Sequence, residues 1–123
     1  METNVVTGEI VRSAMRVHTA LGPGLLESVY RAALLHELMK RGLMVVPEKP
    51  IRLHYDGIEL GTALRIDLLV EESVIVEVKS VEKMHSLHQS QLLSYLKLAN
   101  LKTGLLINFN VRHLRRGIKR MVR

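Results

Sequence analysis

The segment Leu64 to Val81, LRIDLLVEESVIVEVKSV, constrains the fold more than any other part of the chain. Two aliphatic, β-branched runs flank Glu71, Glu72 and Ser73, the pattern of a β-hairpin closed by a polar turn. Antiparallel pairing about Glu72 sets Val70 opposite Val74 and Asp67 opposite Glu77. Because strand side chains alternate between faces, one face is expected to be entirely aliphatic, formed by Leu64, Ile66, Leu68 and Val70 with Val74, Val76 and Val78. The other face carries Arg65, Asp67, Glu77 and Lys79. Carboxylates directly opposite one another, with Cβ atoms ~5 Å apart, repel, so a cation is expected between or beside them. A hard divalent ion held by oxygen is one answer, and an ion pair with Lys79 or Arg65 is another. A solvated polar face, ordinary for an antiparallel sheet, is the third.

Bulk properties narrow the setting. A chain of 123 residues suits one domain spanning 1–123 and buries about two thirds of its unfolded surface. Apolar residues make up 47% and aromatics 3%, so the core must be aliphatic. With no cysteine, disulfides and thiolate metal sites are excluded, and the cytoplasm is the expected compartment. No apolar run approaches the ~20 residues of a membrane span, and Met1 to Ser13 lacks the apolar region of a signal peptide. No membrane association is expected. The net charge of +6 is a property of one end. Residues 112–123, RHLRRGIKRMVR, hold six Lys or Arg and no acid, while the preceding residues balance. Such a segment suits a polyanion, whose counterions Lys and Arg displace, or is a solvated basic tail.

In chain order, Gly8 to Leu21 reads as a helix with Ile10, Ala14, Val17 and Leu21 at helical spacing. Gly22-Pro23-Gly24 ends it, and a second helix is expected from Leu25 to about Arg41, with Leu26, Val29, Ala33, Leu34 and Leu38 as its apolar positions. Glu27, Tyr30 and Arg31 share a face of that helix, where Tyr30 also reads as a packing residue with a wet hydroxyl. Residues 43–63 read as a strand near Val45, a further strand over Ile51 to Tyr55, a turn at Asp56-Gly57 and a short return. Ser86 is the expected N-cap of a third helix to Asn100, on which His88, Gln91 and Tyr95 align. His85 and His88 lack the further ligands of a closed zinc site and read as polar or phosphate-facing. Thr103 to Phe109 is a strand, followed by a short basic element. A helix between the hairpin and this last strand favours parallel pairing, which gives an α/β fold with a mixed β-sheet flanked by helices.

These residues resemble a known family. Gly24-Leu25-Leu26-Glu27-Ser28-Val29-Tyr30 is similar to the signature of the GxxExxY proteins. VHTALGPGLLESVY, RIDLLV, IVEVKSVEK, QLLSYLK and GLLINFN resemble that small bacterial and archaeal family in order along nearly the whole chain. The family belongs to the PD-(D/E)XK nuclease-like superfamily, so the resemblance implies a restriction-endonuclease-like core and a prokaryotic source.

By the same resemblance, Glu27 matches the superfamily's early acidic position, Asp67 its motif aspartate, and Glu77 and Lys79 its E-x-K pair. Gln91 and Tyr95 match a Q-x-x-x-Y motif. Ile66 stands where the superfamily's name has proline, which leaves the ligand in place. The implied function is metal-dependent hydrolysis of DNA or RNA phosphodiesters. Glu27, Asp67, Glu77 and the backbone carbonyl of Val78 would hold Mg²⁺ or Mn²⁺, Lys79 would orient water or stabilise the transition state, and Gln91 would steady either. Tyr30, His88, Tyr95, Arg112, Arg115, Arg116, Lys119 and Arg120 are the candidate nucleic-acid contacts. The alternatives are a catalytically weak or inactive nucleic-acid-binding module of the same fold, and an assembly module. A homodimer is compatible with each.

Overall fold

The computed structural model describes residues 1–123, apart from the side chains of residues 62 and 63. Helix α1 (Thr3–Leu21) and helix α2 (Glu27–Lys40) precede strands β1 (Val45–Tyr55), β2 (Ile58–Val70) and β3 (Val74–Lys79). Helix α3 (Ser86–Ala99), strand β4 (Thr103–Asn108), a 3-10 turn (Leu114–Gly117) and strand β5 (Ile118–Val122) complete the chain. The five strands lie in sequence order in one sheet, with β3 and β4 parallel and every other pair antiparallel. The expected mixed sheet flanked by helices is therefore present.

Both faces of the sheet are covered. Ile10, Ala14 and Val17 of α1 and Tyr30, Leu34 and Leu38 of α2 pack on Leu68, Val70, Val74, Val76, Val78, Leu105 and Ile107. Leu92, Tyr95 and Leu96 of α3 pack on Ile51, Ile66, Leu69, Ile75 and Leu106. This settles one question against a solvated sheet face, since five of the six residues of β3 are buried, Glu77 among them. It also corrects the expected all-aliphatic face. Leu68 and Val70 lie under α1 and α2, but Ile66, with Leu64 beside it, lies under α3. The pleat changes face at Asp67, opposite Glu48, whose φ of 49° is equally irregular.

Other boundaries move for local reasons. Helix α1 starts at Thr3, where the Glu2 carbonyl accepts the Val5 and Val6 N–H groups and Val6 is buried. In α2 the buried stripe is Tyr30, Leu34 and Leu38, whereas Leu26 is 74% exposed and Val29 lies at the surface. Residues 45–55 form one strand rather than two, because β1 is the sheet edge, where proline is tolerated. Two register shifts, at Ile51/Arg52 and Leu53/His54, accommodate Gly61 in its partner strand at φ 89°. Asp56 and Gly57, both at positive φ, make the expected tight turn. The N-cap of α3 is His85, one residue before the expected Ser86. The basic C-terminus is not a tail, since β5 pairs with β4 from Ile118↔Ile107 to Val122↔Thr103.

Candidate active site

The β2–β3 ladder starts at Val70↔Val74 and ends at Leu68↔Val76, in the expected register. One residue beyond, the strands part. The Asp67 side chain fills the gap, its Oδ2 accepting the backbone N–H of Val78 at 2.8 Å. Its other oxygen faces Arg31 of α2, with Nη1 at 3.6 Å, and Arg31 also reaches Glu48 at 3.7 Å. The cation expected beside the facing carboxylates thus includes a guanidinium from a helix, and Arg65 is exposed.

Glu77 is 4% exposed. Burial, then the Asp67 charge and a hydrogen bond with the Asp67 side chain, push its carboxyl up to about 9, with Lys79 opposing. Two carboxyl groups share a hydrogen bond only when one carries a proton. Glu77 Oε1 is buried with no hydrogen-bond partner. Lys79 follows on the same face of β3, partly exposed at the strand end beside Asn108 of β4.

Two helices close around this rim. Glu27, the first residue of α2, accepts the Ser80 N–H at 3.4 Å, and the Ser80 hydroxyl donates to the Leu25 carbonyl. On α3, burial raises the Tyr95 hydroxyl pKa, and the charges of Glu77 and Asp67 add to it. His88 Nδ1 accepts the His85 N–H at 3.2 Å, which leaves Nε2 to carry the proton of the neutral ring. Partial burial, then Lys79 and His85, hold the His88 pKa below its ordinary value, against Glu27. Gln91 lies between His88 and Tyr95 at helical spacing and is exposed. The fold therefore brings Glu27, Asp67, Glu77, Lys79, His88 and Tyr95 to one rim.

A family model described as the PD-(D/E)XK nuclease superfamily matches residues 4–121. The chain belongs to the PD-(D/E)XK nuclease superfamily. Comparison with curated proteins and with solved structures gives no match.

Nucleases of this superfamily generally use divalent metal ions, and the residues at the rim fit one. The orphaned Glu77 Oε1 and the facing Asp67 offer hard oxygen donors in a place where a proton or a cation must balance charge. Among the described residues no group of three or more His, Cys, Asp or Glu is placed to hold a metal ion, so Glu27 does not join Asp67 and Glu77 in one ligand set.

Several expected contacts fall elsewhere. Tyr30 is fully buried, stacked on Phe109 with ring centroids 4.6 Å apart. Its hydroxyl donates to the Gly22 carbonyl at 2.6 Å and accepts the Leu25 N–H at 3.1 Å. Tyr30 is a clamp on the Gly22–Leu25 loop, with no surface left for nucleic acid. Arg120 binds Thr7 and Asn4 of α1, while Arg112 and Arg115 line a cavity with Met15, His18 and Thr19 on the α1 side. Arg116 lines that cavity too, and with Lys119 it lines another beside the β3–α3 connection. Among the residues the sequence reading passed over, Ser80 and Asn108 matter most. Asn108 takes the Val81 and Asn110 N–H groups on Oδ1 and gives Nδ2–H to the Val81 carbonyl, which ties the β3–α3 connection to the end of β4. An Asn closing an otherwise apolar run is the signal that marked it. No helix among the described residues is long and apolar enough to cross a membrane.

Proposed function

We propose that the chain is a phosphodiesterase acting on DNA or RNA with Mg²⁺ or Mn²⁺. The observation that carries this reading is the buried Glu77 carboxyl, with one oxygen unpartnered, facing Asp67 and followed by Lys79 at the strand end. Asp67 and Glu77 would hold the cation, with the Val78 carbonyl and Glu27 as further candidate ligands. A divalent ion bound there supplies Lewis acidity, acidifying water and offsetting charge on the phosphate. Water gives up a proton to solvent as it adds to phosphorus, one P–O ester bond breaks, and the leaving alkoxide takes up a proton from solvent. Lys79 directs its ammonium at that water or at the charge growing on the nonbridging oxygens. Gln91 steadies the water, and His88, as a neutral Nε2–H donor, and Tyr95 position the phosphate beside it.

The finer assignment to the GxxExxY proteins belongs to the same proposal, and geometry gives its spacing a reason. Gly24, at φ 96°, turns the loop. Glu27 takes the N–H of Ser80, and Tyr30 clamps the loop from the next turn of the helix.

Incubating single- and double-stranded DNA and RNA with the protein tests the reading. Cleavage with Mn²⁺ or Mg²⁺, lost on chelation and in Asp67→Ala and Lys79→Ala, is the expected result. Cleavage that survives both substitutions would refute it. One observation favours a weaker second reading, a nucleic-acid-binding module that does not hydrolyse: Asp67 is already held by Val78 and Arg31, and no third carboxylate closes on the pair. That reading expects binding without metal and no cleavage of any substrate. A homodimer, which would bring two such rims to two strands, is tested by light scattering.

A further inference from the structure

The basic C-terminus turns at Gly117. A Cβ at this buried position would lie 2.2 Å from the Asn108 carbonyl oxygen and 3.0 Å from Val111 Cγ2, so only glycine lets the turn close on the end of β4. The closure brings Arg116 and Lys119 against the β3–α3 connection. There, with Lys83 and Gln89, they line an open cavity of about 350 Å³. Asn108, 3% exposed and fixed by its three hydrogen bonds to the Val81 and Asn110 backbone, lies in its wall. In the sheet, Asn108 is the direct neighbour of Lys79. The cavity therefore opens one strand away from the proposed reaction centre.

Its charge is one-sided. Lys83, Arg116 and Lys119 make no ion pair among the described residues, and Glu82 is the one acid in the lining. Three cations drawn to a fixed concave wall raise the local potential and leave it unbalanced, which favours an anion. Arg112 and Arg115 line a second cavity against α1, and Arg116, between the two, lines both.

We propose that the Lys83–Arg116–Lys119 cavity is a phosphate subsite, which holds the backbone of the nucleic-acid strand next to the bond at the Asp67–Glu77 centre. Gln89 is its neutral donor. The nucleic-acid identity of the ligand rests on the nuclease reading, but the subsite is read out without catalysis.

The experiment is fluorescence anisotropy of a short labelled DNA duplex, titrated with the native chain in chelator over a range of salt. Each phosphate neutralised adds about 0.9 to the slope of log K against log salt. Lys83→Ala/Arg116→Ala/Lys119→Ala is expected to lower the slope by about 2 to 3, and Arg112→Ala/Arg115→Ala by less than about 1. Lys83→Arg/Lys119→Arg is expected to keep the native slope. Should the triple variant misfold by circular dichroism, Lys83→Glu against Arg115→Glu decides, with about tenfold or more weakening expected only for the first. Equal losses on the two sides, or a native chain that does not bind, would overturn the subsite. Since no metal is present, a chain that never cleaves yet loses its slope only in the α3-side variants keeps the subsite and removes the enzyme.

Discussion

β2 and β3 are two different objects on either side of Asp67. From Val70↔Val74 to Leu68↔Val76 they are hydrogen-bonded, and their aliphatic side chains are buried under helices on both faces. From Asp67↔Glu77 onward the ladder is replaced by a side chain on a backbone N–H, and a buried carboxyl oxygen has no partner. The first half stabilises the fold, at about 1.5–3 kcal/mol for each large aliphatic side chain taken from water. The second half costs stability, because a buried polar atom without a hydrogen bond keeps its desolvation penalty. The lesson is that the fold is complete up to Leu68 and then holds open a place that only a proton or a cation completes.

The sharpest way to break this comparison is to truncate each half. Leu68→Ala, in the paired half, is expected to lower stability by about 2–5 kcal/mol in denaturant unfolding. Lys79→Ala, in the open half, is expected to lower kcat/KM on nucleic acid by about 10²–10³ while moving the unfolding midpoint little. A Lys79→Ala protein that loses stability like Leu68→Ala would make Lys79 a structural residue and erase the distinction.

The second test is pH. The Glu77 pKa is raised from 4.5 in the unfolded chain to about 9 in the fold, so between these values the native state holds a proton that the unfolded state has released. Stability from this group is full below about 4.5 and falls as pH rises toward about 9, by up to about 1.4 kcal/mol per pH unit. Glu77→Gln removes the titration and is expected to flatten this part of the stability profile. Urea unfolding at several pH values measures it, and the same fall in wild type and Glu77→Gln would assign it to other groups. Saturating Mn²⁺ is expected to flatten the wild-type profile too, because a cation takes the place of the proton.

Much of this division was legible in the chain, and the reason is periodicity. The turn at Glu72 fixes the register, and the register alone places Asp67 opposite Glu77. The parallel β3–β4 pair follows from a helix between two apolar runs. What was hidden is tertiary. Nothing local says that the pleat switches face at Asp67, since Ile66 and Leu68 are equally apolar and only α3 and the α1–α2 pair distinguish them. Arg31 was visible as a neighbour of Glu27 and Tyr30 on one helix face, but its pairing with Asp67 depends on where α2 lands on the sheet. The C-terminal charges looked uniform, and the 3-10 turn and β5 distribute them over different surfaces.

Tyr30 sharpens the boundary between site and scaffold. Tyr30→Phe keeps the ring on Phe109 but leaves the Gly22 carbonyl and the Leu25 N–H without their partner. The expected cost is about 1–3 kcal/mol of stability, with the salt slope for DNA unchanged. A lower slope at native stability would return Tyr30 to the nucleic-acid interface.

The smallest effect belongs to the turn that sets the register. Glu71 and Glu72 both adopt positive φ, 52° and 53°, a conformation that costs a residue with a Cβ about 1 kcal/mol. They differ in what they hold. The Glu71 carboxylate accepts the Met44 N–H at 2.6 Å, and its own N–H donates to the Met44 carbonyl at 2.8 Å, whereas Glu72 is exposed. Glu72→Gly therefore relieves strain without losing a contact. Glycine's greater freedom in the unfolded chain offsets part of the gain, which leaves an expected stabilisation of about 0.5 kcal/mol. Glu71→Gly relieves the same strain but gives up the Met44 bond, so it is expected to be neutral or destabilising. Paired urea denaturation of the two variants measures the difference. If both stabilise alike, the Glu71–Met44 bond contributes nothing, and the register that sets Asp67 opposite Glu77 depends on the aliphatic pairs alone.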